Sequence, residues 1–100
     1  MSDITLGIIG GGQLGSMLAI AAKKLNIKTI IFCDDAEAPA QNFCNKFIFG
    51  NYNNKEKIIE FTNESDLITY EFENIPYKTL NEINKLKLVL PKPSVNRLIQ

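Results

Sequence analysis

Gly10-Gly11-Gly12-Gln13-Leu14-Gly15 follows directly on the apolar run Leu6 to Ile9 and leads at once into a helical pattern. A G-x-G-x-x-G string is common by itself. Between an apolar strand and a helix it specifies a strand–turn–helix unit. Glycine at these spacings permits a tight turn and close backbone approach, and the first amides of the helix have no intrahelical acceptors. Such a turn attracts an anion or an anion-bearing ligand. The plainer alternative is a glycine turn that only closes a strand onto a helix, and the full context favours the ligand reading.

The remainder of the chain repeats this alternation. Five short apolar runs, Leu6 to Ile9, Thr29 to Cys33, Phe47 to Phe49, Leu67 to Tyr70 and Leu86 to Leu90, read as strands of a parallel sheet covered on both faces. Between the first two, Leu14, Met17, Leu18, Ala21, Ala22 and Leu25 follow the i, i+3, i+4, i+7 series and predict the buried face of a helix. Lys23 and Lys24 suit its last turn, and Asn26 its C-cap. Asn53 and Glu56 have capping-box spacing before a second helix. Pro76 predicts the first position of a third, with Tyr77, Leu80 and Ile83 on one face. A short helical turn is expected after Pro39. The alternation predicts an α/β, Rossmann-like, doubly wound sheet of five parallel strands in the order 3-2-1-4-5. After the fifth run, Pro91-Lys92-Pro93 breaks the pattern, and Ser94, Val95, Leu98 and Ile99 begin a new helical stripe.

Charge and composition exclude much. Eleven basic residues balance eleven acidic ones without clustering, which removes the electrostatic footprint of a duplex nucleic-acid or anionic-membrane binder. No apolar run approaches the ~20 residues that span a bilayer, and the N-terminus lacks a basic signal-peptide region, so a soluble cytoplasmic domain is expected. Histidine is absent, which eliminates Ser-His-Asp and Cys-His nucleophile systems and His-based metal sites. Cys33 and Cys44 form no CxxC and read as buried small hydrophobes.

Two further groups bear on the ligand. Asp34, at the end of the second run, lies about 20 residues beyond Gly15, where a dinucleotide enzyme keeps its ribose-binding carboxylate. Thr69-Tyr70-Glu71-Phe72-Glu73-Asn74-Ile75-Pro76 closes the fourth run, and order 3-2-1-4-5 puts the switch point between strands one and four. Glu71 therefore faces the same crevice as the glycine loop and is expected to touch ligand. Glu73 reads as an exposed carboxylate near the next helix. Carboxylates beside the loop repel a pyrophosphate and suit a ligand that brings N–H groups.

The strings GGGQLGSMLAIAA, DDAEAPA, GNYN and TYEFENIP, in this order and spacing, resemble the N-terminal domain of the carboxyaminoimidazole ribonucleotide synthetase family, the ATPase subunit of phosphoribosylaminoimidazole carboxylase and a member of the ATP-grasp superfamily. The resemblance implies a purine-biosynthetic ligase that uses ATP and Mg2+ to carboxylate aminoimidazole ribonucleotide with bicarbonate, and a tendency to homodimers. It makes residues 1–91 a pre-ATP-grasp domain and residues 92–100 the start of a following ATP-grasp region. Carried over by motif, Gln13, Leu14 and Glu71 contact the ribonucleotide, and Gly10, Gly12 and Gly15 form the phosphate loop or its structural frame. The ATP, magnesium and substrate-phosphate groups of the family lie in later domains, so the 100 residues alone are expected to be inactive. The chain departs from the family pattern at Ser16, where Arg is usual, and at Asn53 and Asn54, where an acidic pair is usual. The competing readings are a small NAD-binding Rossmann domain with Asp34 on the ribose, and a non-enzymatic remnant that binds nothing.

Overall fold

A computed structural model describes residues 4–71 and 75–93. Its elements are β1 (Thr5–Ile9), α1 (Gln13–Lys24), β2 (Lys28–Cys33), a short 3-10 helix (Pro39–Asn42), β3 (Lys46–Phe49), α2 (Lys55–Glu64), β4 (Leu67–Tyr70) and α3 (Tyr77–Leu86). The strands form one sheet in the order β3-β2-β1-β4, with all three pairings parallel. The expected fifth strand is reduced to a single bridge. Val89 pairs in parallel with Ile68 on the outer side of β4, held by Ile68 N to Leu88 O at 3.1 Å and Leu90 N to Ile68 O at 2.9 Å. This segment has the predicted place but not the predicted length, because α3 consumes Leu86 and Pro91 has no amide to extend the ladder. Glu73, Ser94, Val95, Leu98 and Ile99 lie outside the described residues.

Period-two alternation sends the strand side chains into two cores. On one face Ile8, Ile31 and Cys33 meet Ala19 of α1 and Ala38 and Ala40 of the 3-10 segment. On the other, Ile9, Ile30, Phe32, Ile48 and Ile68 pack against Ile58 and Phe61 of α2 and Leu80 and Ile83 of α3. Phe32 lies at the middle of this second core, edge-on to Tyr52 at 5.4 Å between centroids and tilted against Phe61 at 5.6 Å.

Helix α1 is turned from the expected face and keeps only Ala22, with Leu18 in part, of the expected buried series. Its buried positions are Gly15, Ser16, Ala19 and Ala22, whereas Leu14, Met17 and Leu25 are exposed and Leu18 is half-buried. The small residues let α1 lie close to the sheet and to the alanines of the 3-10 segment, so contact distance overrides apolar bulk. The end of α1 is a Schellman motif. Ile27 N donates to Ala22 O at 2.9 Å and Asn26 N to Lys23 O at 3.0 Å, while Asn26 adopts φ 60° one position past the cap residue Leu25. The cap of α2 is Asn54 rather than Asn53, its Oδ1 accepting from Lys57 N at 3.2 Å. The third position is therefore Lys57, and no capping box forms with Glu56. Pro76 is the cap of α3 rather than its first residue. Cys33 is buried, and Cys44 is only half-buried. No helix among the described residues is long and apolar enough to cross a membrane.

Candidate functional site

From β1 the chain winds outward through β2 and β3 and then returns to β4, so the topology reverses between β1 and β4. In open parallel sheets ligands bind at the strand ends beside such a reversal. The register places Ile9 opposite Tyr70, and the ladder continues one step further through Glu71 N to Ile9 O at 3.0 Å. Gly10, on the other side of Ile9, donates to Phe32 O of β2 at 2.8 Å. Gly10 and Glu71 are thus set side by side by backbone bonds.

Gly10 turns the chain with φ +107°, a conformation that favours glycine. Gly12 is the cap residue of α1 and has no side chain to accept the amides of the first turn, and no acidic residue lies in that turn. Glu71 supplies both from across the sheet. Its Oε1 accepts from Gly15 N at 2.7 Å, the third amide of the helix, which is the bond a capping Asp or Ser ordinarily accepts. Its negative charge also sits at the positive end of the helix dipole. The glycines fit around it, since a Cβ on Gly10 would lie 2.8 Å from Oε2 and one on Gly12 would lie 3.2 Å from Oε1. Gly15 must be small for another reason: a Cβ there would stand 2.5 Å from the Gly10 carbonyl oxygen. The Ser16 hydroxyl closes the turn by donating to Gly12 O at 2.9 Å.

A cavity of about 180 Å3 opens here, lined by glycines 11 and 12, Cys33, Asp34, Asp35, Pro39, Tyr52, Glu71 and Ile75, among others. Among the described residues three carboxylates and no lysine or arginine line it. Its floor is fixed by Ala40 N donating to Gly11 O at 3.0 Å, which ties the segment after β2 to the loop. The larger concavity, about 610 Å3, lies at the opposite pole beside Lys23, Asn26, Lys28, Phe43 and Asn45. We take the smaller one as the site, because the strand ends and the carboxylate-capped helix N-terminus converge on it and on no part of the larger.

Of the residues expected at the site, Glu71, Gly10, Gly12 and Gly15 are brought into one cluster. Gln13 and Leu14 lie exposed in the first turn of α1 and are not among the residues that line the cavity. Asp34 lies on the cavity wall, exposed. Among the described residues no group of three His, Cys, Asp or Glu side chains is placed to hold a metal ion.

Tyr52, Pro39 and Ile75 also line the cavity and were not singled out from the sequence. The signal for Tyr52 was the GNYN string, an aromatic in a polar turn between β3 and α2. Its ring is buried against Phe32, and its carbonyl accepts from the buried Thr79 Oγ1 at 3.0 Å, which joins this turn to α3. Burial, reinforced by Cys33 and Asp34, pushes the Tyr52 phenol far above its ordinary 10.0. A phenol with a raised folded-state pKa stays protonated while the unfolded chain ionises, so the unfolded state binds fewer protons and stability falls as pH climbs above about 10. Alkaline titration of phenolate absorbance should show Tyr52 ionising only together with the loss of folded-state circular dichroism. Tyr52→Phe should make the alkaline unfolding less steep in pH. Ionisation of Tyr52 ahead of unfolding would contradict its burial.

The sequence family described as the ribonucleotide synthetase preATP-grasp domain matches residues 3–100. The chain is 43% identical over 96 residues to N5-carboxyaminoimidazole ribonucleotide synthase of Brucella melitensis, covering 96% of this chain and 26% of that protein. Its fold is similar to that of N5-carboxyaminoimidazole synthetase from Staphylococcus aureus complexed with ADP, with TM-score 0.89 and 32% identity over 97% of this chain and 26% of that one. It is also similar to N5-carboxyaminoimidazole synthase from Aspergillus clavatus in complex with ADP and 5-aminoimidazole ribonucleotide, with TM-score 0.80 and 27% identity over 95% of this chain and 26% of that one. The chain therefore spans about a quarter of the length of these relatives.

Proposed function

The chain belongs to the ribonucleotide synthetase pre-ATP-grasp domain family, and from that premise we propose that it is the substrate-side domain of an ATP-dependent carbon–nitrogen ligase of purine biosynthesis. The reaction joins the carboxyl carbon of bicarbonate to the amino nitrogen of aminoimidazole ribonucleotide, with ATP converted to ADP and phosphate. The substrate assignment draws support from the Aspergillus relative, whose crystal contains 5-aminoimidazole ribonucleotide and ADP. ATP and Mg2+ belong, in this reading, to parts of the enzyme outside the cluster around Glu71, and so do bicarbonate activation and any homodimer contact. The enzyme works in the cytoplasm.

One observation carries the assignment of roles. The Glu71 carboxylate is anchored through Oε1 to the first turn of α1 at the switch point. A carboxylate has about four acceptor sites, so Glu71 keeps capacity for donors that enter the cavity. The amino and ribose hydroxyl groups of aminoimidazole ribonucleotide are such donors, and they would face Glu71. Gln13 and Leu14 would border the ligand from the first turn, where helix geometry leaves amides without intrahelical acceptors. The substrate phosphate would point away from the acidic wall, toward basic groups supplied elsewhere. The domain's contribution is to hold and orient the nucleophile, and no proton or phosphoryl step falls to it.

A proton–nitrogen NMR titration tests this reading. Aminoimidazole ribonucleotide is expected to shift the amides of residues 10–15 and Glu71, and NADH is not. Glu71→Gln exchanges a charged acceptor for a neutral one, a difference of about 1–1.5 kcal/mol and a loss of roughly tenfold in affinity. Shifts with NADH centred on the glycine loop and Asp34 would replace the ligase reading with the dinucleotide one.

A further inference from the structure

A glycine loop of this spacing, with an acid at the end of β2, has the outline of a pyrophosphate site. Its anion position is already filled from within: Glu71 Oε1 lies 2.7 Å from Gly15 N, where a phosphate oxygen would accept. Its Oε2 lies 2.8 Å from the place a Cβ on Gly10 would take, too close for any side chain there, so the glycines make the room that the carboxylate fills. Asp34 and Asp35 stand on the same cavity wall, and among the described residues no lysine or arginine lines it to offset them. We propose that Glu71 is a specificity-determining residue: by occupying the amide of the glycine loop it excludes phosphate and pyrophosphate groups, and so admits ligands only through neutral or cationic hydrogen-bond donors.

The exclusion has two physical parts. A phosphate oxygen and Oε1 compete for one N–H. Like charges brought this close also repel, and more strongly in a cavity than in open water. The proposal does not depend on which substrate the domain serves, because it concerns what the loop rejects.

The test uses inorganic phosphate as the probe and the amide resonances of residues 12–15 as the readout, in the wild-type chain, Glu71→Ser and Glu71→Gln. Serine vacates the position, and glutamine keeps an oxygen for Gly15 N–H while losing the charge. Phosphate should leave the wild-type loop amides in place and shift those of Glu71→Ser saturably, with a Kd at least about tenfold lower than for the wild type. Glu71→Gln should fall between them, and its Gly15 amide proton should move upfield even without phosphate. If Glu71→Ser does not fold, Glu71→Gln against the wild type decides the matter alone. Phosphate binding to the wild-type loop as tight as to the variants would overturn the proposal, as would folded variants that gain nothing. Failure of aminoimidazole ribonucleotide to bind would overturn the ligase reading and leave this result unaffected.

Discussion

Phe61→Ala is expected to remove about 3–5 kcal/mol of stability, the range for deleting a buried phenyl ring when its surroundings cannot collapse. Phe61 is fully buried on the inner face of α2, and its ring lies against Phe32, which in turn meets Tyr52 on the cavity wall. The void would open beneath β1, where α2 crosses the sheet. Backbone bonds hold that floor and give it little freedom to fall inward. A domain of this size has about 5–15 kcal/mol in total, so the loss is a large share of it. At about 4–8 °C per kcal/mol it should lower Tm by more than about 10 °C. Urea unfolding followed by circular dichroism measures it, with Ile59→Ala as the control. Ile59 neighbours Phe61 on the same helix but is 51% exposed, and its truncation should cost about 0.5 kcal/mol or less. Equal losses from the two variants would mean that α2 does not present Phe61 to the sheet.

The parts of this fold that were legible in the sequence share a cause. Strand ends and parallel order follow from short β-branched runs separated by helical stretches, and once the order is set, Gly10 and Glu71 have to meet. The misreadings have causes as well. Periodicity weighs Leu14, Met17 and Leu25 above Gly15, Ser16 and Ala19, yet a helix pressed against a sheet buries its smallest side chains. Adjacent asparagines 53 and 54 compete for one cap, and only local geometry selects Asn54, whose Oδ1 accepts from Lys57 N, while Asn53 N donates to Asn51 Oδ1 at 3.1 Å in the preceding turn. Tyr52 was invisible as a site residue because its role depends on Phe32 and Thr79, which lie far from it in sequence. The cap of α1 could not be found locally either. It comes from a residue 56 positions away, and no scan of the helix N-terminus contains it.

Gly15→Ala should show how tightly that remote cap is coupled to the loop. Alanine is ordinarily worth about 1 kcal/mol more than glycine inside a helix, so propensity alone predicts a gain. Here the added methyl would meet the Gly10 carbonyl oxygen at 2.5 Å, a backbone atom that cannot rotate away. Gly10 cannot easily yield, being bonded to Phe32 O and held at φ +107°. Relief must come from α1 moving outward, which lengthens the Gly15 N to Glu71 Oε1 bond. Overpacking costs about 1–3 kcal/mol and loss of the charge-assisted bond about 1.5–3, so the net expectation is a destabilisation of about 2–5 kcal/mol. Gly12→Ala is the informative companion. Its methyl would meet the end of the Glu71 side chain at 3.2 Å rather than backbone, and that carboxylate can shift by a few tenths of an ångström. Gly12→Ala should therefore keep most of the stability while displacing Glu71, and it should perturb ligand binding more than folding. Gly15→Ala should impair both together. A Gly15→Ala chain as stable as the wild type in urea would mean that the loop is not clamped between β1 and Glu71, and would remove the geometric basis for placing the ligand there.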